Sequence, residues 1–217
     1  MRNTLTSLAI AAVCSFGNAQ TDTKEMEALL RTTFNEFDAT LDVEKMMPLS
    51  TQLDLIAEKY SDQWVAQYYA AYAKAMISYT LPEADMAKKD MILAQGYDFL
   101  TVIEDLGVEN DHRYVLTALL ANASLAVDGQ NRWKKYGPIF EDNLKKAKAL
   151  NPDNPHIYYL NAAALFYTPK AFGGGAKKAL PYFEKAKALY PKLDKSNMLV
   201  PHWGEDKTDY YIAECKK

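Results

Sequence analysis

Apolar residues recur along this chain with the 3.6-residue period of an amphipathic helix, and the alternation typical of strands is scarce. After residue 20 the first apolar face carries Met26, Leu30 and Phe34. The pattern predicts helices near residues 26–37, 53–60, 64–81, 83–106, 111–128, 138–150, 155–168, 176–189 and 207–214. Because short polar turns separate them, the helices are expected to form antiparallel hairpins, and the predicted fold class is all-α.

Local turn and capping residues predict several of the helix boundaries. Pro48 is interpreted as a break before the second helix. Ser61 or Asp62 is expected to cap the third helix, and Asp111 the fifth. Asn154 is expected to cap the seventh helix, which begins with a proline, a residue favoured in the first turn.

The first nineteen residues have the composition of a secretory signal peptide. Arg2 supplies a positive charge, residues 5–16 form an apolar run too short to span a bilayer, and small residues end the segment at Ala19. Two alternatives stay open, a lipoprotein signal with Cys14 as the lipidated residue and a buried first helix. Since no later stretch is apolar enough for a transmembrane helix, the mature protein is predicted to be periplasmic or secreted.

Composition excludes several classes of protein. The chain has 217 residues, a net charge of −3 and 49% hydrophobic residues, which is enough to bury a core and argues against global disorder. Two cysteines cannot hold together a disulfide scaffold of this length, and the absence of a basic excess argues against nucleic-acid binding. Tyrosine is in excess, with 15 Tyr against 8 Phe.

A short sequence is repeated in the second half of the chain. Residues 146–152 read Lys-Ala-Lys-Ala-Leu-Asn-Pro, and residues 185–191 read Lys-Ala-Lys-Ala-Leu-Tyr-Pro. The offset of 39 residues (146 to 185) exceeds the roughly 34-residue tetratricopeptide period, and residues 168–175 can hold the additional length. The second copy has the family's small, aromatic, small and proline spacing at Ala179, Phe183, Ala186 and Pro191.

Residues 138–191 therefore resemble a tetratricopeptide-type pair of hairpins. The turn at 151–155, the loop at 168–175 and Trp203-Gly204 are similar to marks of secreted bacterial proteins with such repeats. The resemblance implies that residues 20–217 form one domain of hairpins stacked as a short right-handed superhelix. It also implies a scaffold that binds a partner, with no assigned reaction.

Five aromatic residues are predicted to line a binding groove. Trp64, Tyr68 and Tyr72 recur at i, i+4 and i+8 on the third helix, while Tyr114 and Tyr158 lie on the fifth and seventh. In tetratricopeptide scaffolds the first helix of each hairpin lines the concave groove, which makes these side chains groove candidates. The alternative is that the stripe packs between neighbouring hairpins, since tyrosine tolerates burial when its hydroxyl finds a partner.

The remaining reactive residues predict neither catalysis nor a metal or cofactor site. His112, His156 and His202 lack the i, i+4 pairing of helical zinc sites, and Cys215 has no histidine near it in sequence. The glycines at 173–175 precede a helix but lack the strand and the Gly-Lys-Ser/Thr signature of a phosphate loop.

Two functions fit this pattern. The first is a non-enzymatic scaffold that binds a protein or peptide partner in the bacterial envelope. The alternative is a periplasmic binding protein for a small apolar ligand, similar to transport-associated tetratricopeptide proteins, with the aromatic stripe and the loop at 168–175 enclosing the ligand. An enclosed aromatic cavity would favour the small ligand, and an open groove would favour the protein partner.

Overall fold

The computed structural model describes residues 9–217 and the side chains from Asp22 onward. Part of the predicted signal peptide, residues 1–8, lies outside the described residues, and Cys14 lies outside the described side chains. The signal peptide and its lipidated alternative therefore stay predictions. Among the described residues, no helix is both long and apolar enough to cross a membrane.

The described residues form nine α-helices and no strand, so the all-α prediction is confirmed. The helices are α1 (Ala9–Asp38), α2 (Val43–Lys59), α3 (Trp64–Thr80), α4 (Met86–Asp105), α5 (Asp111–Val127), α6 (Gly129–Leu150), α7 (Pro155–Tyr167), α8 (Ala176–Leu189) and α9 (Glu205–Cys215). Single 3-10 turns cover Lys170–Phe172 and Tyr190–Lys192.

The helices pack as neighbouring pairs, and the odd-numbered helices also contact one another. The closest pairs are α3 with α4, α5 with α6 and α7 with α8, while α3 contacts both α1 and α5, and α5 contacts α7. The centre of this arrangement is α3, where every side chain from Val65 to Ala75 is buried. One continuous set of buried apolar residues extends from Met26 to Trp203.

Two helices run through prolines that the sequence analysis treated as boundaries. Pro48 lies inside α2 and Pro138 lies inside α6, which begins at Gly129. In α2 the side chains of Met46 and Leu53, on either side of the proline, are both buried. Tertiary packing across the proline therefore offsets the hydrogen bond that the proline cannot donate.

The observed helix caps differ from the predicted ones in two of three cases. The helix α3 begins after Gln63 without a side-chain cap, so neither Ser61 nor Asp62 caps it. Asn110, not Asp111, caps α5 by accepting from the Arg113 backbone N–H at 2.9 Å. Asn154 caps α7 as predicted, accepting from the His156 backbone N–H at 2.9 Å.

Asp111 has a different structural role from the predicted cap. Its Oδ2 accepts from the side-chain amides of Asn151 and Asn154 at 2.9 and 2.8 Å. These bonds connect the start of α5 to the turn before α7. The carboxylate therefore fixes the stacking of two successive hairpins rather than the end of its own helix.

Candidate functional site

The segment that connects α8 to α9, residues 193–204, lies against the odd-numbered helices. On α1, Arg31 donates to the backbone oxygens of Lys195, at 3.4 Å, and Ser196. Just after the segment, the Lys207 ammonium pairs with Asp38 of α1 at 2.8 Å. The C-terminal part of the chain is thus bound to the N-terminal helix.

Trp203 inserts this segment into the helical core. Its indole is only 5% exposed and stacks on the His156 ring, with 4.1 Å between the ring centroids. The indole N–H donates to the Tyr68 hydroxyl at 3.0 Å, and its ring centroid lies 5.1 Å from that of Tyr72. Trp203 therefore covers the face of α3 on which the sequence predicted a groove.

His156 is a fully buried, neutral imidazole at the centre of this cluster. Its Nε2 accepts from the Trp203 backbone N–H at 3.4 Å, which assigns the proton to Nδ1. Burial lowers the pKa of His156 well below its usual value, and the nearby His112 lowers it further. Burial also lowers the pKa of His112, whose ring lies 6.2 Å from that of His156.

Three of the five predicted groove residues come together here. Tyr68 and Tyr72 have no exposed surface. Half-buried Trp64 packs edge-on against Tyr68 and stacks on His112, both at 6.2 Å between ring centroids. Burial raises the pKa of both tyrosines, so their hydroxyls stay protonated.

The other two predicted residues, Tyr114 and Tyr158, are half-buried and lie among charged side chains. The Tyr114 hydroxyl donates to Glu109, and the Tyr158 hydroxyl donates to the Pro152 carbonyl at 2.8 Å. Lys148 lies over the Tyr158 ring at 5.8 Å. Among the described side chains, no ring contact joins Tyr114 or Tyr158 to Trp64, Tyr68 or Tyr72. A role of these five residues in binding stays a prediction.

A more accessible site lies between α4, α5 and α6. It is a groove of about 430 Å³, which we call the α4–α6 groove. Its lining residues are Asp90, Leu93, Ala94, Tyr97, Ser124, Arg132, Lys135 and Tyr136.

The groove combines two aromatic rings with two cations. The Tyr97 hydroxyl lies 3.2 Å from the Ser124 hydroxyl. The Arg132 guanidinium donates to both oxygens of Asp90, at 2.5 and 2.7 Å, and this contact lowers the pKa of the carboxyl group. The exposed Lys135 ammonium lies 4.8 Å from the centre of the Tyr136 ring and pairs with no carboxylate of the described residues.

Further tyrosines continue from this groove along the surface. The Tyr79 side chain is 38% exposed, yet burial raises its pKa, and so do the nearby Tyr97, Tyr167 and Tyr211 hydroxyls. Tyr79 donates to Asn122 at 2.7 Å, and the Tyr167 and Tyr211 hydroxyls lie 2.8 Å apart.

We call this set the tyrosine arc and define it as Tyr79, Tyr97, Tyr136, Tyr167 and Tyr211. None of these five tyrosines is among the groove residues predicted from the sequence. The signal available in the sequence is that Tyr79 and Tyr167 each lie at the C-terminal end of an odd-numbered helix. Tyr97 and Tyr136 lie on even-numbered helices, where the repeat pattern predicts no groove residue.

The described residues contain no group of three or more His, Cys, Asp or Glu side chains that is arranged to hold a metal ion. Cys215 is a half-buried free thiol, and burial raises its pKa. A raised pKa decreases the thiolate fraction, which is the nucleophilic form.

Comparison with known proteins shows a similarity to a solved structure. No protein-family model and no curated protein sequence matches the chain, so the tetratricopeptide resemblance stays a prediction. Among solved structures, the HusA haemophore from Porphyromonas gingivalis is 30% identical. The match covers 87% of this chain and 92% of that chain, with a TM-score of 0.70. Because this identity extends over nearly the whole of both proteins, the chain belongs to the same family as the HusA haemophore.

Proposed function

We propose that this protein is a secreted, non-enzymatic binding protein for haem or a closely related carboxylated tetrapyrrole. The observation that carries the proposal is the 30% identity to the HusA haemophore over 92% of that protein. A haemophore binds haem, and the α4–α6 groove and the tyrosine arc supply side chains that suit such a ligand. The predicted signal peptide at residues 1–19 agrees with a secreted protein, and we treat residues 20–217 as one binding module.

The lining of the α4–α6 groove supports a ligand with both an aromatic and an anionic part. The exposed Ala94 supplies apolar surface, and the rings of Tyr97 and Tyr136 supply aromatic surface. The groove volume of about 430 Å³ lies within the range of small-molecule sites, about 300–1,000 Å³. Tyrosine rings stack on flat π-systems while their hydroxyls stay hydrated.

The two cations of the groove suit the carboxylates of haem. Lys135 is exposed and has no carboxylate partner among the described residues, so its charge is available for a ligand. Arg132 is held by Asp90, which fixes the direction of its guanidinium. A cation beside an aromatic ring orients a ligand that has an apolar part and a carboxylate. The apolar part packs on the ring, and the carboxylate pairs with the cation.

The tyrosines also offer a ligand for ferric iron, since phenolate oxygen is one of the protein donors that hold haem iron. Burial raises the pKa of Tyr97, which favours its neutral form as a hydrogen-bonding group. Tyr136 is half-buried beside Lys135, and we propose it as the residue that approaches the iron.

The position of residues 193–204 favours a small ligand over a peptide on the odd-numbered helices. A peptide that used the predicted groove would have to displace Trp203, which is 5% exposed and bonded to Tyr68. The α4–α6 groove needs no such displacement, because Asp90 and Lys135 are exposed. This difference supports the alternative small-ligand hypothesis over the protein scaffold.

The test is a haem titration followed by absorbance in the Soret region. The wild-type chain should bind haem saturably. Lys135→Glu and Tyr136→Phe should each weaken binding about tenfold, equivalent to about 1.4 kcal/mol, and Tyr136→Phe should also shift the ferric spectrum. Tyr182→Phe is the matched control, because Tyr182 is 42% exposed on α8, outside the arc.

Two results would count against the proposal in different ways. Absence of saturable binding by the wild-type chain would overturn the function. Wild-type affinity in both groove variants would overturn the location of the site while leaving the function intact.

A further inference from the structure

The loop between α7 and α8 displays the most exposed large apolar side chain in the described part of the chain. Phe172 is 83% exposed and ends the 3-10 turn Lys170–Phe172. Its ring makes no aromatic contact with another described residue. Because the ring is isolated and nearly fully exposed, Phe172 contributes no packing to the core.

The loop around Phe172 is held rigidly. The Phe172 backbone N–H donates to the Pro169 carbonyl at 2.9 Å, and the Gly175 N–H donates to the Leu165 carbonyl at 2.7 Å. Gly174 is packed so closely that a Cβ atom there would lie 2.1 Å from the Thr168 carbonyl oxygen. Because the backbone is already ordered, docking of the ring needs little further loss of conformational entropy.

Three lysines flank the exposed ring. Lys170, Lys177 and Lys178 are all exposed, and none forms a salt bridge with a described carboxylate. The sequence from 168 to 183 contains no acidic residue. The loop is therefore a local cationic surface on a chain whose net charge is −3.

We propose that this loop docks the protein onto an anionic lipid surface, with Phe172 entering the headgroup region and the three lysines contacting phosphates. Aromatic side chains favour the interface between water and lipid, and lysines gain energy near anionic headgroups. A stable protein interface commonly buries about 800 Å² per partner, which is much more than one ring at the end of a three-residue turn offers. The diffuse charge of the loop also matches a lipid surface, which presents many equivalent anions. This inference goes beyond haem binding and does not depend on it.

The experiment is co-sedimentation of the full chain with vesicles. Vesicles of phosphatidylcholine with about 30% phosphatidylglycerol should bind the wild-type protein at low salt, because the attraction is electrostatic. The bound fraction should fall at least about fivefold in about 0.5 M salt or on pure phosphatidylcholine. Phe172→Ser and the double variant Lys177→Gln/Lys178→Gln should each decrease binding at least about threefold.

Leu41→Ser is the matched control, because Leu41 is 72% exposed but lies next to Asp42 in the turn between α1 and α2. It should bind vesicles as the wild type does. Gly174→Ala tests the loop conformation separately, since its Cβ would displace the loop backbone although the Phe172 and lysine side chains themselves are unchanged. It should decrease vesicle binding while circular dichroism shows that the helices remain.

The proposal fails if the wild-type chain does not bind anionic vesicles, or if Phe172→Ser binds them as well as the wild type. If Phe172→Ser loses a protein partner while its binding to vesicles is unchanged, the loop binds a protein rather than a lipid surface. That result also overturns the proposal. Haem titration of the same variants separates this inference from the proposed function, because Phe172→Ser should bind haem with wild-type affinity. If Phe172→Ser loses haem binding but still binds vesicles, Phe172 belongs to the haem site instead.

Discussion

Lys74 is a charged residue in the most buried helix of the fold. It is 5% exposed, and its ammonium donates to the Ser50 hydroxyl at 2.9 Å and to Asp54 Oδ2 at 2.6 Å. A cavity of about 190 Å³ adjoins the pair, and the Asp54 side chain is 31% exposed. Burial raises the pKa of Asp54, while the contact with Lys74 lowers it. The two partners therefore differ in burial, since the Asp54 side chain is 31% exposed, although its Oδ1 is buried, whereas the Lys74 side chain is 6% exposed.

This asymmetry predicts different effects for the two partners. Asp54→Ala should lower the free energy of unfolding by about 3 kcal/mol, because it leaves a buried ammonium without its counter-charge. Lys74→Met should change it by less than about 1 kcal/mol, because the remaining carboxylate can be hydrated or protonated. Urea denaturation measures both, and the double variant should recover most of the loss of Asp54→Ala. Equal losses for the two single variants would contradict the prediction.

The buried histidines predict a pH dependence of stability. The unfolded chain has histidines with a pKa near 6.5, whereas burial lowers the pKa of His156 well below that value in the folded state. Below about pH 6.5 the unfolded state therefore binds a proton that the folded state excludes. Stability should be complete above this pH and should fall by about 1.4 kcal/mol per unit of pH for each such proton.

The variant His156→Gln isolates this effect, because an amide oxygen can still accept from the Trp203 backbone N–H but does not titrate at these pH values. Urea denaturation from about pH 7 to about pH 5 should show a shallower fall for the variant than for the wild type. The remaining slope includes His112, whose pKa burial also lowers. If the free energy of unfolding falls equally with pH in the variant and the wild type, His156 is not the source of the pH dependence.

At the scale of the helices, sequence periodicity predicted the elements well and their N-terminal ends less well. The helices α7 and α8 were predicted within a residue or two, because Asn154 caps one and Gly175 directly precedes the other. The helix boundaries predicted near Pro48 and Pro138 were wrong, because the prediction relied on the low propensity of proline for the interior of a helix. Buried residues on both sides of Pro48, and after Pro138, outweigh that local preference, and a single sequence does not show which apolar residues become buried.

The tyrosine stripe on α3 illustrates a second limit of helical periodicity. Tyr68 and Tyr72 recur every four residues, as side chains do on any single helical face. Periodicity shows that they share a face but not whether that face meets water or protein. The contacts with Trp203 bury this face against protein, and Trp203 is 135 residues away from Tyr68 in sequence.

At the scale of the whole molecule, the candidate site was less predictable than the fold. Tyr97 and Tyr136 are on different helices and meet only where α4, α5 and α6 pack together. Their spacing in sequence carries no helical period, so no local pattern groups them. The site depends on how successive hairpins stack, which is a long-range property of the chain.

The C-terminal segment makes a final prediction at this scale, because Trp203 joins it to α3 and α7. Trp203→Ala should lower the free energy of unfolding by about 3–5 kcal/mol, since it removes a buried ring and its bond to Tyr68. Trp133→Ala is the control, because Trp133 is 57% exposed and should change stability by less than about 0.5 kcal/mol. Urea denaturation at pH 7 compares the two, and the segment is structurally dispensable if both variants unfold like the wild type. A large loss confined to Trp203→Ala would mean that the C-terminal segment holds the odd-numbered helices together, in the position where a repeat scaffold would bind a partner.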